Sequence, residues 1–192
     1  MITLINTPNS KLTFDRFDNE PLLQECVADV APLLLHHPEI RVFGKVAHQR
    51  RDVGFFSNTS KGYQYSGQTA VSQKLTANLQ LLLDTINNRL QSNFNGILVN
   101  RYQDGSDYIS PHSDDERFLD PKIGVVSISY GTQRIFRIRN KSNKTVVGDF
   151  PVDNLSILHM YGDFQKEFTH EIPIDKTITG TRYSFTFRCH TE

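Results

Sequence analysis

The sequence predicts an α+β domain, mainly β, in which two sheets pack as a sandwich or jelly roll and N-terminal helices lie on one outer face. Three observations lead there. From residue 97 onward the chain breaks into short runs rich in β-branched and aromatic residues, separated by Gly, Asn, Asp and Pro. Before that point Leu75, Leu79, Leu82, Leu83, Ile86 and Leu90 recur at helical spacing. The chain has 192 residues, 38% of them hydrophobic, which suits one domain with one core.

The elements follow in order. A first helix is expected over Pro21–Leu35, with Asn19 or Asp18 as cap, Pro21 in the first turn, and Pro32 cutting or kinking it. A second lies between Ser72 and Gln91, where Gly and Pro are absent. Seven strands come next: Ile97–Tyr102, Val125–Tyr130, Arg134–Asn140, Thr145–Phe150, Ser156–Met160, Phe168–Ile172 and Arg182–Phe187. Residues 1–192 are read as a single domain, with a helical part to residue 95 and a jelly-roll core over 96–192.

The 21 basic and 21 acidic residues cancel, so no whole-molecule field draws the chain to nucleic acid or to a membrane. Locally the charge is uneven. An acidic segment over residues 104–120 is bracketed by basic ones, Arg41 to Lys61 and Arg134 to Lys144. Cys26 and Cys189 are too few and too distant for a disulfide framework. No apolar run reaches the length of a membrane span, and Lys11, Asp15 and Arg16 interrupt any signal-peptide core. The expected location is intracellular, cytoplasmic or nuclear, without membrane association.

The chemistry concentrates in "NRYQDGSDYISPHSDDE", residues 100–116. On extended chain, His112 and Asp114 face the same way and can converge on one point. His170, in "THEIP", shares a strand face with Phe168 and Ile172. In "RYSFTFR", Arg182, Ser184, Thr186 and Arg188 share one face and Tyr183, Phe185 and Phe187 the other. Asn100 and Tyr102 share a face upstream. Taken singly, an H-x-D is commonly a surface feature and an inward histidine a hydrogen-bonded core residue. Together, two histidines and a carboxylate form the facial triad that suits non-haem Fe(II), leaving positions for a 2-oxo acid and O2 while a guanidinium holds the far carboxylate. Zinc suits the same ligands but leaves the inward arginines unexplained. There is no P-loop, dinucleotide fingerprint or nucleophile elbow.

These stretches resemble the AlkB family of Fe(II) and 2-oxoglutarate-dependent nucleic-acid dealkylases, over about Arg41 to Arg188. The resemblance implies a double-stranded β-helix holding Fe(II) through His112, Asp114 and His170. It implies that 2-oxoglutarate is held by Asn100, Tyr102, Arg182 and Arg188 within an R-x-N-x-T-x-R pattern, where Thr186 matches and Ser184 replaces Asn. "RVFGK", "QRRDVGFF" and "GYQYSG" are similar to the duplex-DNA-repair branch. There Val42, Phe43 and Gly44 would form a hairpin that wedges into the base stack, Tyr65, with Tyr63 beside it, would cover a flipped base, and Arg50 would reach the pocket. Asp115 and Glu116 would order the metal surroundings or contact a cationic base. Residues 1–95 then include the nucleotide-recognition part. The expected activity is oxidative demethylation of 1-methyladenine- or 3-methylcytosine-type lesions in DNA by a monomer using Fe(II), 2-oxoglutarate and O2. Methylated RNA, a protein side chain as substrate, or a non-catalytic jelly-roll binding module are the alternatives.

Overall fold

The computed structural model describes the chain except residues 43, 61, 66–67, 116–118, 121–122 and 192, and does not describe the side chains of 42, 63–65 and 68–70. In chain order the strands are β1 (Ile2–Asn6), β2 (Ser10–Arg16), β3 (Glu39–Val42), β4 (Lys45–His48), β5 (Asp52–Phe56), β6 (Gly62–Tyr65), β7 (Gln68–Val71), β8 (Gly96–Tyr102), β9 (Ile109–His112), β10 (Val125–Gly131), β11 (Arg134–Asn140), β12 (Val146–Val152), β13 (Ser156–Gly162), β14 (Phe168–Ile172) and β15 (Arg182–Arg188). The helices are α1 (Glu20–Val30), α2 (Ala77–Leu90) and the short α3 (Phe164–Glu167).

A seven-stranded sheet runs β1-β2-β13-β10-β15-β8-β5, and a four-stranded sheet runs β12-β11-β14-β9. Together they form the expected jelly roll. Alternation along β15 decides what each face of the large sheet carries. Phe185 and Phe187 join Ile97, Val99, Val126 and Ile128 under α1 and α2, the core on the outer face. Arg182, Ser184, Thr186 and Arg188 turn the other way, into the space between the sheets. A second core there contains Tyr102, Ile109, Phe136, Ile138, Phe168 and Ile172.

The helices sit close to expectation, and their ends have local causes. Asn19 Oδ1 accepts the Leu22 N–H at 3.1 Å, which caps α1. Pro32 ends α1 at Val30, and Ala31–Leu33 tighten into a 3-10 turn. Thr76 caps α2 through its hydroxyl, so the helix begins at Ala77; the residues before it are extended, where Gln73 bridges to Phe56.

The front of the chain is less helical than expected. β1, β2 and β5 are strands of the large sheet, and β3–β4 and β6–β7 are two separate hairpin ribbons. The physical reason is visible in "ITLINTPNSKLTFDR", where two alternating runs flank an Asn-Thr-Pro-Asn turn. At the β3–β4 turn Gly44 has φ +77°, the left-handed region that glycine enters without a Cβ clash.

The loop leading into β9 is clasped from below. Buried Arg134 donates to the carbonyls of Asp104 (2.9 Å), Asp107 (2.8 Å) and Pro173 (2.8 Å). Gly105 lies so close to the neighbouring loop that a Cβ there would stand 1.7 Å from the Asp175 carbonyl oxygen.

Candidate active site

β9 and β14 are neighbours in the small sheet, and their register sets His112 directly opposite His170. Opposed side chains on antiparallel strands meet, and the two imidazole centroids are 4.3 Å apart. The register then shifts: two residues further along β14, Ile172 pairs with Ile109, so β9 contains a bulge. Pro111, which lacks an N–H, sits in that irregular stretch on the edge of the sheet. Beyond β9 the chain leaves the sheet, and Asp114 comes back to the same point. Its Oδ1 lies 3.9 Å from His112 Nε2, and its Oδ2 lies 3.5 Å from His170 Nε2.

Hydrogen bonds hold this geometry. The Asp114 N–H donates to Gln165 Oε1 at 2.9 Å, and Ser113 Oγ donates to the Phe168 carbonyl at 2.8 Å. Arg188 Nη2 donates to Asp114 Oδ1. His112 Nδ1 is 2.9 Å from the Ser110 carbonyl, which assigns the proton to Nδ1 and leaves the Nε2 lone pair facing the site. His170 is held instead by packing: its ring stacks on Phe136 with centroids 5.2 Å apart, and its buried Nδ1 has no hydrogen-bond partner among the described residues.

The electrostatics favour metal-ready protonation states. Burial alone would raise the Asp114 pKa, but the Arg188 guanidinium and the two histidines overcome it and bring it to about 2. Burial and the neighbouring His112 push His170 down to about 3, and burial likewise lowers His112. At neutral pH the carboxylate is ionised and both imidazoles are neutral. That is the donor state that Fe(II) or zinc requires.

A cavity adjoins the triad, and its lining includes Asn100, Tyr102, Arg182, Ser184, Thr186 and Arg188. Arg182 is 2% exposed; Nη2 donates to Ser129 Oγ at 2.9 Å, while Nε and Nη1 are buried with no acceptor among the described residues. Its guanidinium stands 5.3 Å from the Tyr102 ring centroid, and burial brings its pKa down to about 10. Two unpaired donors on one buried guanidinium are costly. A carboxylate in the cavity would take one of these donors, alone or in a two-pronged bond shared with Nη2, so the residues present fit a 2-oxo acid. The Ser184 hydroxyl accepts from Asn100 Nδ2 at 3.4 Å, and Asn100 Oδ1 accepts from Arg51 Nε at 2.8 Å.

The remaining expected residues scatter. Arg50 is exposed, and it is Arg51 that is buried and lines the cavity. Alternation explains this, because Arg51 is in phase with Val53 and Phe55 of β5, which pack on Leu98. Asp115 points to solvent and pairs with Lys141 at 3.1 Å. Phe43 and Glu116, and the side chains of Val42, Tyr63 and Tyr65, lie outside what the structure describes. Gly44 is exposed at its turn. Ser127 and Ser129 are findable from "VVSISYG", where polar and apolar residues alternate; Gln165, on the short α3, carries no such signal.

Fold and site together define the class. The chain belongs to the 2OG-Fe(II) oxygenase superfamily, whose family model matches residues 17–188. Members of that superfamily use Fe(II), 2-oxoglutarate and O2, and the zinc and non-catalytic readings fall away. Within it, the AlkB resemblance holds. The chain is 29% identical over 182 residues to the DNA oxidative demethylase ALKBH2 of Homo sapiens, covering 91% of this chain and 70% of that protein. It is 32% identical over 177 residues to the ALKBH2 of Arabidopsis thaliana (79% and 56%). It is also 32% identical over 119 residues to the human alpha-ketoglutarate-dependent dioxygenase alkB homolog 3 (56% and 42%). The solved structure of OsALKBH1 shares the fold with a TM-score of 0.63 at 14% identity, over 96% of this chain and 99% of that one.

Proposed function

We propose that the protein oxidatively demethylates N-alkylated bases, of the 1-methyladenine and 3-methylcytosine type, in duplex DNA. The observation that carries the reading is the convergence of His112, Asp114 and His170 beside the two unpaired donors of Arg182. His112 Nε2, His170 Nε2 and an Asp114 oxygen would hold the iron; Arg182, with Asn100 and Tyr102, would orient 2-oxoglutarate. When bound, Fe(II) with 2-oxoglutarate and O2 supplies the oxidising power that hydroxylates the N-methyl group, after which the hydroxymethyl base sheds formaldehyde. Arg188 and Gln165 keep the Asp114 carboxylate aimed inward. Arg51, beside Asn100, shapes the wall that the base meets.

A base in a duplex must leave the stack to reach such a cavity. The β3–β4 ribbon suits that role. Gly44 turns the chain, exposed Arg41 and Lys45 flank the turn to meet phosphates, and Phe43, beside Gly44 in sequence, supplies the aromatic that enters the stack. Val46 and Val71, on the two ribbons, are 59% and 78% exposed and offer apolar surface to set against bases. The similarity to ALKBH2 proteins, whose name is DNA oxidative demethylase, supports the same substrate class. Tyr63 and Tyr65, on β6, cover the flipped base in this reading.

The test is mass spectrometry of methylated oligonucleotides incubated with protein, Fe(II), ascorbate and 2-oxoglutarate. The expected result is loss of one methyl group from 1-methyladenine and 3-methylcytosine, faster in duplex than in single strand. Unchanged mass in both forms overturns the substrate assignment.

A further inference from the structure

Among the described residues, a second group of metal-capable side chains lies away from the cavity. Arg51 faces the cavity, so the next residue, Asp52, faces the other side of β5. There it meets His36 and His37 from the segment before β3, and His37 in turn meets Asp107 from the loop before β9. Asp52 Oδ1 lies 2.7 Å from His36 Nδ1 and 4.0 Å from His37 Nε2, while Asp107 Oδ1 lies 3.2 Å from the same His37 nitrogen. The two imidazoles stack with centroids 4.1 Å apart.

We propose that His36, His37 and Asp52, with Asp107 beside His37, bind a divalent transition-metal ion of the zinc class, independent of the iron site. Three observations carry this. First, one nitrogen of each imidazole and one Asp52 oxygen lie within 4.8 Å of one another, close enough to be drawn onto one ion when the exposed His36 ring swings out of its stack on His37. Second, His37 Nε2 is buried and makes no hydrogen bond although Asp107 Oδ1 is 3.2 Å away. A nitrogen near a carboxylate oxygen without an aligned N–H is satisfied by a cation between them. Third, the other Asp52 oxygen is already held, by Arg101 at 2.6 Å and Gln103 Nε2 at 3.1 Å. This is how a liganding carboxylate is oriented from behind.

Binding leaves the proton balance simple. The Nδ1 proton that His36 shares with Asp52 moves to Nε2 of its solvent-exposed ring, and the imidazole stays neutral with its Nδ1 lone pair on the metal. His37 turns its Nε2 lone pair to the ion with its proton on Nδ1. The ion would staple three segments: the approach to the β3–β4 ribbon, the start of β5, and the loop that Arg134 clasps before β9.

The test uses the full chain reconstituted with Zn(II), desalted and assayed for metal by mass spectrometry. Two equivalents are expected. A His112→Ala/His170→Ala variant should keep one. A His36→Ala/His37→Asn variant should lose one and weaken that site by about 100-fold or more, above the 10- to 100-fold that outer-shell changes cause. Asparagine is chosen because it tolerates the φ of +39° found at His37. Asp52→Asn, which keeps the side-chain shape, should do the same, with circular dichroism reporting the fold of each variant. Co(II) in the His112→Ala/His170→Ala background should give the strong visible bands of a tetrahedral site. One equivalent in the parent, lost only on changing His112 and His170, or Co(II) bands unaltered by His36→Ala/His37→Asn, would overturn the proposal while leaving the iron reading untouched.

Discussion

The triad and the ribbons are built on opposite plans. His112, Asp114 and His170 stand between paired strands, buried or nearly so, each oriented by a hydrogen bond, an ion pair or a stacked ring. β3–β4 and β6–β7 are two-stranded units whose strands belong to neither sheet, and Arg41, Lys45, Val46 and Val71 on them are turned to solvent. Chemistry that must hold atoms within a few tenths of an ångström is placed on ladders that cannot shift without breaking many bonds. In the proposed function, selection among long, bendable substrates falls to two-stranded elements that stand apart from both sheets.

The contrast is tested most severely at the triad. Asp114→Ala should abolish turnover, with a loss exceeding the 10- to 100-fold of outer-shell changes. Product mass measures turnover, and the anaerobic Fe(II)/2-oxoglutarate charge-transfer band should disappear with it. Next, Arg134→Met removes three charge-assisted bonds to backbone carbonyls and should destabilise the chain by roughly 3 kcal/mol, read from denaturant midpoints. Arg182→Met should raise the KM for 2-oxoglutarate by about 10- to 100-fold, the value of one charge-assisted bond pair, with less change in kcat at saturating co-substrate. On the ribbon, Phe43→Ala should lower duplex turnover about tenfold while single-strand turnover and melting temperature hold. An equal loss on both substrates would place Phe43 outside the wedge role. The smallest effect belongs to Arg137→Ala, whose exposed pair with Asp149 should contribute under about 1 kcal/mol.

Legibility in the sequence follows the same division. "RYSFTFR" and "GILVNRY" alternate so regularly that their cavity-facing residues are readable, and the structure keeps that alternation. The i, i+2 spacing of His112 and Asp114 makes their convergence readable, whereas the pairing of His112 with His170 is a long-range register that local pattern does not encode. β9 itself is hidden because "ISPHS" contains a proline and no alternation of polarity. The hairpin β1–β2 carries a turn signal, but the helical periodicity that follows outweighs it. Arg50 and Arg51 cannot be told apart until the phase of β5 is known. His36 and His37 give no sign of meeting Asp52 and Asp107, since that cluster depends on three segments packing at one end of the sheet.

The extra residue in β9 between Ile109 and His112 has an evolutionary consequence. A strand tolerates gain or loss of residues in pairs, because parity then restores which way each side chain looks. Here β9 has one residue more than β14 between the two pairs, so deleting that one position would leave Ile109 and His112 two apart, as Ile172 and His170 already are, and both would keep their partners in a regular ladder. This short edge should therefore accept the loss of its one extra residue, whereas a further loss would turn Ile109 or His112 to the opposite face.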